Sequence, residues 1–420
     1  MVRSRYGPSA HRATADASSE LLISACLIVR DEAEMLPDCV ASIRQVADEI
    51  VVVDTGSTDG TPAVARRAGA RVCGFAWCDD FAAARNAAMD RARGRWILQI
   101  DADERLVAPG GGPVDHATFR QRLSAPTLDP RTFEAIVLPL RVLSGRQEIA
   151  YLPRLFLRRP DRRYVRRIHE TPFPGDRPQH FVRAEGLAEI RHLGYAPEIQ
   201  ASRNKANRNM RLCELALRER PADLELHYYY GRELNRAGRG ADAIAHFAEA
   251  WNGMSPWMVG SGFWWLTVAA LGEGLNSNGK SGLVLPWVRP LIERYPNVAH
   301  LHFIRGEALR LLGHLDQALA SLRTALALPL AGLDWEPWTT KPFCWNAIGA
   351  IGEQLGRPDL ALEAYHASLA IGPTPFAEGR IADLQGTAND SVGVGADGAA
   401  LQPAETGDGV IVVPQCGPDR

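Results

Sequence analysis

Trp96-Ile97-Leu98-Gln99-Ile100-Asp101-Ala102-Asp103-Glu104 carries an apolar strand straight into two aspartates that flank one small residue. A short apolar run ended by acids reads as a buried strand whose carboxyl end meets solvent. Two hard carboxylates on such a rim hold a divalent cation, and the open positions of that cation take up the oxygens of a diphosphate. The stretch therefore points to chemistry on an activated phosphate ester.

Working outward, the same pattern recurs. Ile23 to Val29 is an apolar run ending at Arg30-Asp31-Glu32, and Glu49 to Val53 ends at Asp54-Thr55-Gly56-Ser57-Thr58-Asp59-Gly60-Thr61. A third run, Ala70 to Gly74, leads through Phe75-Ala76-Trp77 to Asp79-Asp80-Phe81-Ala82-Ala83-Ala84-Arg85-Asn86. Between them Met35, Leu36, Cys39, Val40 and Ile43 recur at helical spacing, as do Phe81, Ala84, Ala88 and Ala92. Asp31, Asp59 and Asp79 or Asp80 stand where helix N-caps are expected. Alternating strands and helices predict a parallel, doubly wound α/β sheet with its ligand crevice at the carboxyl ends of the strands. Every acidic cluster falls on that rim.

In their order and spacing these blocks resemble the family-2 glycosyltransferases, inverting enzymes with the nucleotide-diphospho-sugar-binding fold called GT-A. The likeness runs from Leu22 to about Tyr195 and rests on Ile28-Val29-Arg30-Asp31-Glu32, Val53-Asp54-Thr55-Gly56-Ser57-Thr58-Asp59 and Asp101-Ala102-Asp103-Glu104. A later block, Arg154-Leu155-Phe156, then Arg167-Ile168-His169-Glu170, then Arg191-His192-Leu193-Gly194-Tyr195, resembles the subset in which the transferase domain precedes tetratricopeptide repeats. That subset commonly carries Lys-Asn-Glu where this chain has Arg30-Asp31-Glu32, which keeps an acidic pair near the nucleotide.

The resemblance implies transfer of a sugar from a nucleotide-diphosphate donor, a UDP-sugar, with Mn2+ or Mg2+ offsetting charge on the leaving diphosphate. Asp103 is the expected direct metal ligand, and Asp101 a partner to the ribose or to metal-bound water. Asp54 and Asp31 or Glu32 are expected at the nucleoside. Arg85 resembles the arginine of the family's W-x-D-D-F-x-x-A-R-N block; it follows a helix start whose amides favour anions, and holds the diphosphate, orders the donor loop or is merely a solvated helix arginine. Inverting transfer needs a base on the acceptor side, for which Glu170 is the first choice, with Glu148 or Asp161 behind it. His169 or His192 completes the metal shell or is a structural hydrogen bonder. The stretch from Arg154 to Arg167 holds seven arginines and one acid, Asp161, and reads as an anion-attracting rim or a solvated face.

Composition agrees with a cytoplasmic enzyme. At 420 residues the chain has room for two or three domains. Its 47 basic and 49 acidic residues give a net charge of −2, which argues against nucleic-acid binding. Seven cysteines occur without a CxxC pair, so reduced thiols are expected and a zinc site is not. The segment from Met1 to Glu20 lacks the apolar core of a signal peptide, and no apolar stretch approaches the ~20 residues of a transmembrane helix.

From Ile199 onward the period is helical. Gly231, Leu234, Gly238, Ala243, Phe247 and Ala250 align with Gly306, Leu309, Gly313, Ala318, Leu322 and Ala325, and a third copy places Gly349, Gly356, Ala361 and Tyr365 at the same offsets with Pro373 at its end. These fit a tetratricopeptide repeat of ~34 residues, where a small residue lets paired helices approach closely. A degenerate repeat is expected from Trp257 to Tyr295, an insertion from Leu330 to Pro342, and Trp264 and Trp265 are expected in helix core rather than on a sticky surface. The array is an all-α solenoid suited to a peptide or protein acceptor, a glycan being the other option, or to homo-oligomer formation. The expected domains are a disordered tail at 1–20, the GT-A domain at 21–195, the repeats at 196–385 and a disordered tail at 386–420.

Three other classes fit less well. A sugar nucleotidyltransferase needs a Gly-rich loop where this chain has Arg30-Asp31-Glu32, and a haloacid-dehalogenase-like phosphatase places its aspartates after the first strand rather than the fourth. The remaining alternative is a non-catalytic repeat scaffold with a degenerate nucleotide-sugar-binding domain, against which the presence of Asp101, Asp103, Arg85 and Glu170 argues.

Overall fold

In a computed structural model of the chain, describing residues 22–123, 133–144, 146–173, 180–184, 186–193, 205–329 and 340–390, the four apolar runs are four parallel strands. They are β1 (Ile23–Val29), β2 (Glu49–Asp54), β3 (Arg71–Gly74) and β4 (Trp96–Gln99), and β1 lies between β2 and β4 with β3 outside β2. The helices between them are α1 (Leu36–Ile43), α2 (Thr61–Arg67) and α3 (Phe81–Arg91). Successive side chains of a strand point to opposite faces. Hence Ile23, Ala25, Leu27 and Val29 of β1 pack with Leu36, Cys39, Val40 and Ile43 of α1, while Cys26 joins Ala88 and Met89 of α3 on the other face. Each fully buried Leu or Ile of this double layer contributes on the order of 1.5–3 kcal/mol.

The rest of the sheet is mixed. Beyond β4 come β7 (Arg146–Leu157), β6 (Ala135–Ser144), β9 (Glu189–His192) and β5 (Glu104–Val107), with β8 (Phe181–Arg183) on β6. The β4–β7, β6–β7 and β5–β9 pairs are antiparallel, and β6 is parallel to both β8 and β9. A short helix, α4 (His116–Leu123), precedes the hairpin. Of the expected N-caps, Asp80 caps α3 by accepting from the Ala83 amide at 2.9 Å. The caps of α1 and α2 are Met35 and Gly60. Asp31 and Asp59 instead tie the β1 and β2 loops together: Asp31 accepts from the Thr58 amide at 2.6 Å, and Asp59 from the amides of Ala33 and Thr61, each at 3.0 Å.

The second half is helical: α5 (Lys205–Glu219), α6 (Leu224–Arg236), α7 (Gly240–Asn252), α8 (Gly262–Ser277), α9 (Ser281–Arg294), α10 (Ala299–Leu311), α11 (Leu315–Ala327), α12 (Thr340–Gln354), α13 (Pro358–Ile371) and α14 (Pro375–Asp390). The aligned glycines are the contact points of the helix pairs. A Cβ at Gly231, Gly306 or Gly349 would fall within 3.0 Å of Phe247, Leu322 or Tyr365, the residue at the same offset in each copy. The degenerate repeat is α8 with α9, where Trp264 and Trp265 are buried against Tyr295. The last helix runs past Gln385 because Ala377 and Ile381 still pack on Ala361 and Tyr365. Thr340 to Pro342, expected in an insertion, open α12. Residues 386–390, expected in the 386–420 tail, belong to α14; the rest of that tail, the expected 1–20 tail, the 195/196 boundary, Gly194, Tyr195 and residues 330–339 lie outside the described residues.

Candidate active site

The carboxyl ends of β1, β2 and β4 converge on one rim. Thr55 donates its amide to Val29 O at 2.9 Å, joining the β2 and β1 ends. Asp54, 9% exposed, accepts at 3.3 Å from the amides of Gly56 and Ser57, which fixes its carboxylate at the mouth of the loop. Asp31 sits above it with φ +53, its amide donating to Ser57 Oγ at 2.9 Å. Glu32 donates its amide to Thr61 Oγ1 at 2.8 Å. The three acidic residues expected at the nucleoside thus share one crossing of two loops.

At the end of β4 the chain builds a buried charge cluster. Arg85 of α3 donates from Nη2 to Asp101 Oδ1 at 3.0 Å and from Nε to Glu170 Oε1 at 2.5 Å. Arg154 of β7 donates to Glu104 Oε1 at 2.6 Å and lies 3.8 Å from Asp101 Oδ2. With the Gln99 amide oriented to satisfy both of its ends, its oxygen accepts from Arg154 Nη1 at 2.7 Å and from Arg85 Nη2 at 3.2 Å, and its nitrogen donates to the Tyr164 hydroxyl at 2.6 Å. Arg85, Arg154 and Tyr164 are buried, and Glu104 has no exposed surface. Burial pushes the Asp101 carboxyl up, but Arg85 and Arg154 outweigh it and hold Asp101 well below the usual carboxylate range. Burial pushes Glu104 the other way, up to about 8 against the pull of Arg154.

The arginine of the Ala84-Arg85-Asn86 block is therefore not a solvated helix residue. Its neighbour Asn86 holds both backbone groups of Tyr164, each at 2.9 Å. Nor is the run from Arg154 to Arg167 an open rim: Arg154 is inside the cluster, Arg162 pairs with Glu134, Arg163 with Asp90, and Arg166 and Arg167 bond acids of the helical half. A charged run in sequence is divided by the fold among separate partners.

Asp103 and His192 meet through the β5–β9 ladder. Glu104 opposes His192, and the Leu193 amide donates to Asp103 O at 2.8 Å. This register brings His192 Nε2 to 4.0 Å from Asp103 Oδ1. Two ligands each ~2.1 Å from one ion span up to about that distance, so the pair fits one divalent cation. The surroundings fit too, since the carboxyl groups of Asp101, Asp103, Glu104 and Glu170 gather around the guanidinium groups of Arg85 and Arg154. Among the described residues, no group of three His, Cys, Asp or Glu side chains is placed to hold a metal.

His169 departs from expectation. Its ring stacks on Tyr229 of α6, with centroids 3.8 Å apart and planes 8° apart. Burial above all, with Arg232, Arg166 and Arg236 behind it, lowers its pKa to about 3. A ring packed on the helical half and ringed by arginines is not placed with Asp103 and His192. Arg154, Gln99, Tyr164 and Glu104 carry the cluster without having been assigned roles from sequence. Glu104 stood in the opening motif, and Arg154 was hidden in the arginine run.

The model of the family described as glycosyl transferase family 2 matches residues 24–107, from inside β1 to the end of β5. A TPR repeat-containing protein of Synechococcus elongatus is 32% identical over 357 residues, spanning 84% of this chain and 76% of that one. The chain belongs to glycosyl transferase family 2. Its transferase domain is of the GT-A type and is followed by tetratricopeptide-like repeats. The SPbeta prophage-derived glycosyltransferase SunS of Bacillus subtilis is 25% identical over 238 residues, 55% of this chain and 53% of SunS. Among solved structures, glucosyl-3-phosphoglycerate synthase of Mycobacterium tuberculosis, in complex with Mn2+, UDP and glucosyl-3-phosphoglycerate, matches at 24% identity and a TM-score of 0.23, over 30% of this transferase and 46% of that chain. No helix among the described residues is long and apolar enough to cross a membrane.

Proposed function

We propose that this glycosyltransferase moves a sugar, with inversion, from a nucleotide diphosphate of the UDP-sugar class to an acceptor hydroxyl or other protic group, and that Glu170 is its base. The observation that carries the reading is the Arg85 guanidinium, which binds Asp101 on one edge and Glu170 on another. It ties the donor motif to a carboxylate on the far side of the cluster.

Asp54, Asp31 and Glu32 contact the nucleoside, and Asp101, held ionised, takes a ribose hydroxyl or a metal-bound water. Asp103 and His192 hold Mn2+ or Mg2+, which when bound offsets the charge that builds on the leaving diphosphate. Glu170 accepts the acceptor's proton as the acceptor atom bonds to the anomeric carbon and the bond from that carbon to the diphosphate oxygen breaks. The electron pair leaves with the nucleotide diphosphate, and attack from the face opposite inverts the centre. Arg85 fixes the Glu170 carboxylate, and Arg154, held by Glu104, fixes Asp101. Such preorganised charge costs no rearrangement at the moment of transfer. Stacked repeats of this kind form a concave face, which suits a peptide or protein acceptor, with oligomer formation as their other use.

A thermal-shift screen of nucleotide sugars with Mn2+, Mg2+ or EDTA tests this directly, because a ligand that binds the native state raises the melting temperature. A rise with a UDP-sugar that requires the metal is the expected result. No rise with any nucleotide diphosphate would remove the donor assignment.

A further inference from the structure

The loop from Tyr164 to Thr171 is shared between two cores. Its neck is closed by the amides of Val165 and Thr171, which donate to each other's carbonyls at 3.0 and 3.2 Å. Inside it Arg166 and His169 have φ of +76 and +53, in the left-handed region. For non-glycine residues such conformations are strained and persist only where the surroundings over-determine them.

The start of α3 holds the loop backbone on one side, the Phe81 amide donating to Arg167 O at 2.8 Å, and helices α5 and α6 take its side chains on the other. Arg166, its side chain 3% exposed, donates from Nε to Asp223 Oδ2 at 2.8 Å and from Nη1 to Glu225 Oε2 at 2.6 Å. Arg167 bridges the two domains, donating from Nη2 to Glu219 Oε1 at 2.5 Å and from Nη1 to the carbonyls of Cys78 and Asp79 at 3.3 and 3.2 Å. Ile168 is buried in the helical core with Leu212 and Cys213, and His169 stacks on Tyr229. Arg166, Ile168 and His169 thus pack into the repeats, Arg167 spans both domains, and Glu170 turns back to Arg85.

We propose that the first helices of the repeat domain set the position of the Glu170 carboxylate, with Tyr229 and the acidic pair Asp223 and Glu225 as positioning residues for transfer. The inference rests on Glu170 being the base. A carboxylate displaced by an ångström loses a large part of its catalytic effect, so the helices act on rate without touching the donor.

The test uses the full chain and UDP-glucose with Mn2+, following UDP release, together with hydrogen exchange at the Val165 and Thr171 amides. Tyr229→Ala should lower kcat by about 10- to 100-fold while KM for UDP-glucose stays within about twofold, and both amides should exchange faster. Tyr229→Phe keeps the stack and should restore both readouts. Glu225→Gln keeps the side-chain shape and removes one charge of the Arg166 clamp; it should give the same kcat-selective loss, and it serves if the alanine variant does not fold. Wild-type kcat and exchange in the folded variants, or equal loss of kcat and donor affinity, would overturn the proposal. Glu170→Gln is run beside them. A slow Glu170→Gln with a normal Tyr229→Ala overturns the positioning role alone, whereas a fully active Glu170→Gln overturns the base, and the exchange data then still decide whether α6 holds the loop.

Discussion

Arg85 and Glu170, 85 positions apart in the chain, meet at 2.5 Å with both side chains nearly closed to solvent. Removing one partner of such a pair leaves the other charge buried and uncompensated, which costs far more than an exposed ion pair is worth. Glu170→Gln is the gentle way to probe it. The amide keeps an oxygen for Arg85 but accepts no proton, so UDP affinity should hold while transfer falls by ~100-fold or more. Equal loss of both, measured by calorimetry and turnover, would make Glu170 part of the donor site instead.

Asp103→Ala should separate metal from nucleotide. With Mn2+ present, UDP binding should weaken by more than about 10-fold, whereas in EDTA the variant and the wild type should bind alike. Asp103 lies at a loop rim, so the melting temperature without ligand should barely move. Metal-stimulated binding that survives in the variant would pass the ligand role to other residues.

The glycine contacts of the repeats make opposite forecasts for one substitution. Gly349→Ala drives a methyl group into the ring of Tyr365, and overpacking of that kind destabilises by about 1–3 kcal/mol. Gly379 is exposed in α14 with open space around it, so Gly379→Ala should stabilise by about 0.4–1 kcal/mol. Urea unfolding of both variants checks the pair. Stabilisation by Gly349→Ala would mean that α12 and α13 do not approach as described.

His169 gives the protein an acid sensitivity of known sign. Its pKa falls from 6.5 to about 3 on folding because burial and then Arg232, Arg166 and Arg236 oppose its charge. Above 6.5 neither state carries the proton and the contribution to stability is complete. Below it the unfolded chain takes a proton that the folded chain refuses, and stability drains away at up to ~1.4 kcal/mol per pH unit until about pH 3. His169→Asn, which tolerates the left-handed backbone, should flatten the dependence of unfolding free energy between pH 7 and 5. An unchanged slope would assign the effect to other groups.

What the sequence makes legible here is local. A run such as Trp96 to Gln99 ending in acids has one reasonable place in an α/β sheet, and the offset from Gly231 to Phe247 recurs because each helix pair solves the same packing problem. What stayed hidden is set by pairing between distant segments. Nothing near Arg154 says that Leu155 opposes Leu98, yet that register turns one member of an arginine run into the partner of Glu104. The choice between His169 and His192 is of the same kind: the β5–β9 ladder carries His192 to Asp103, and the fit of α6 to the loop carries His169 elsewhere. The pairing within the mixed half of the sheet stayed hidden because its strands follow no strand-helix alternation.

The burial of Ile168 among helices also bears on how this architecture diversifies. A cut between the transferase segment and α5 would take Ile168 out of the helical core to which it belongs. Exchange of repeats between relatives is therefore tolerable only downstream of α6, where the seams run helix to helix. Lineages that shuffle acceptor-recognition arrays should keep α5 and α6 in company with the catalytic unit they were born with, and chimaeras joined ahead of α5 should fail where those joined at α7 succeed.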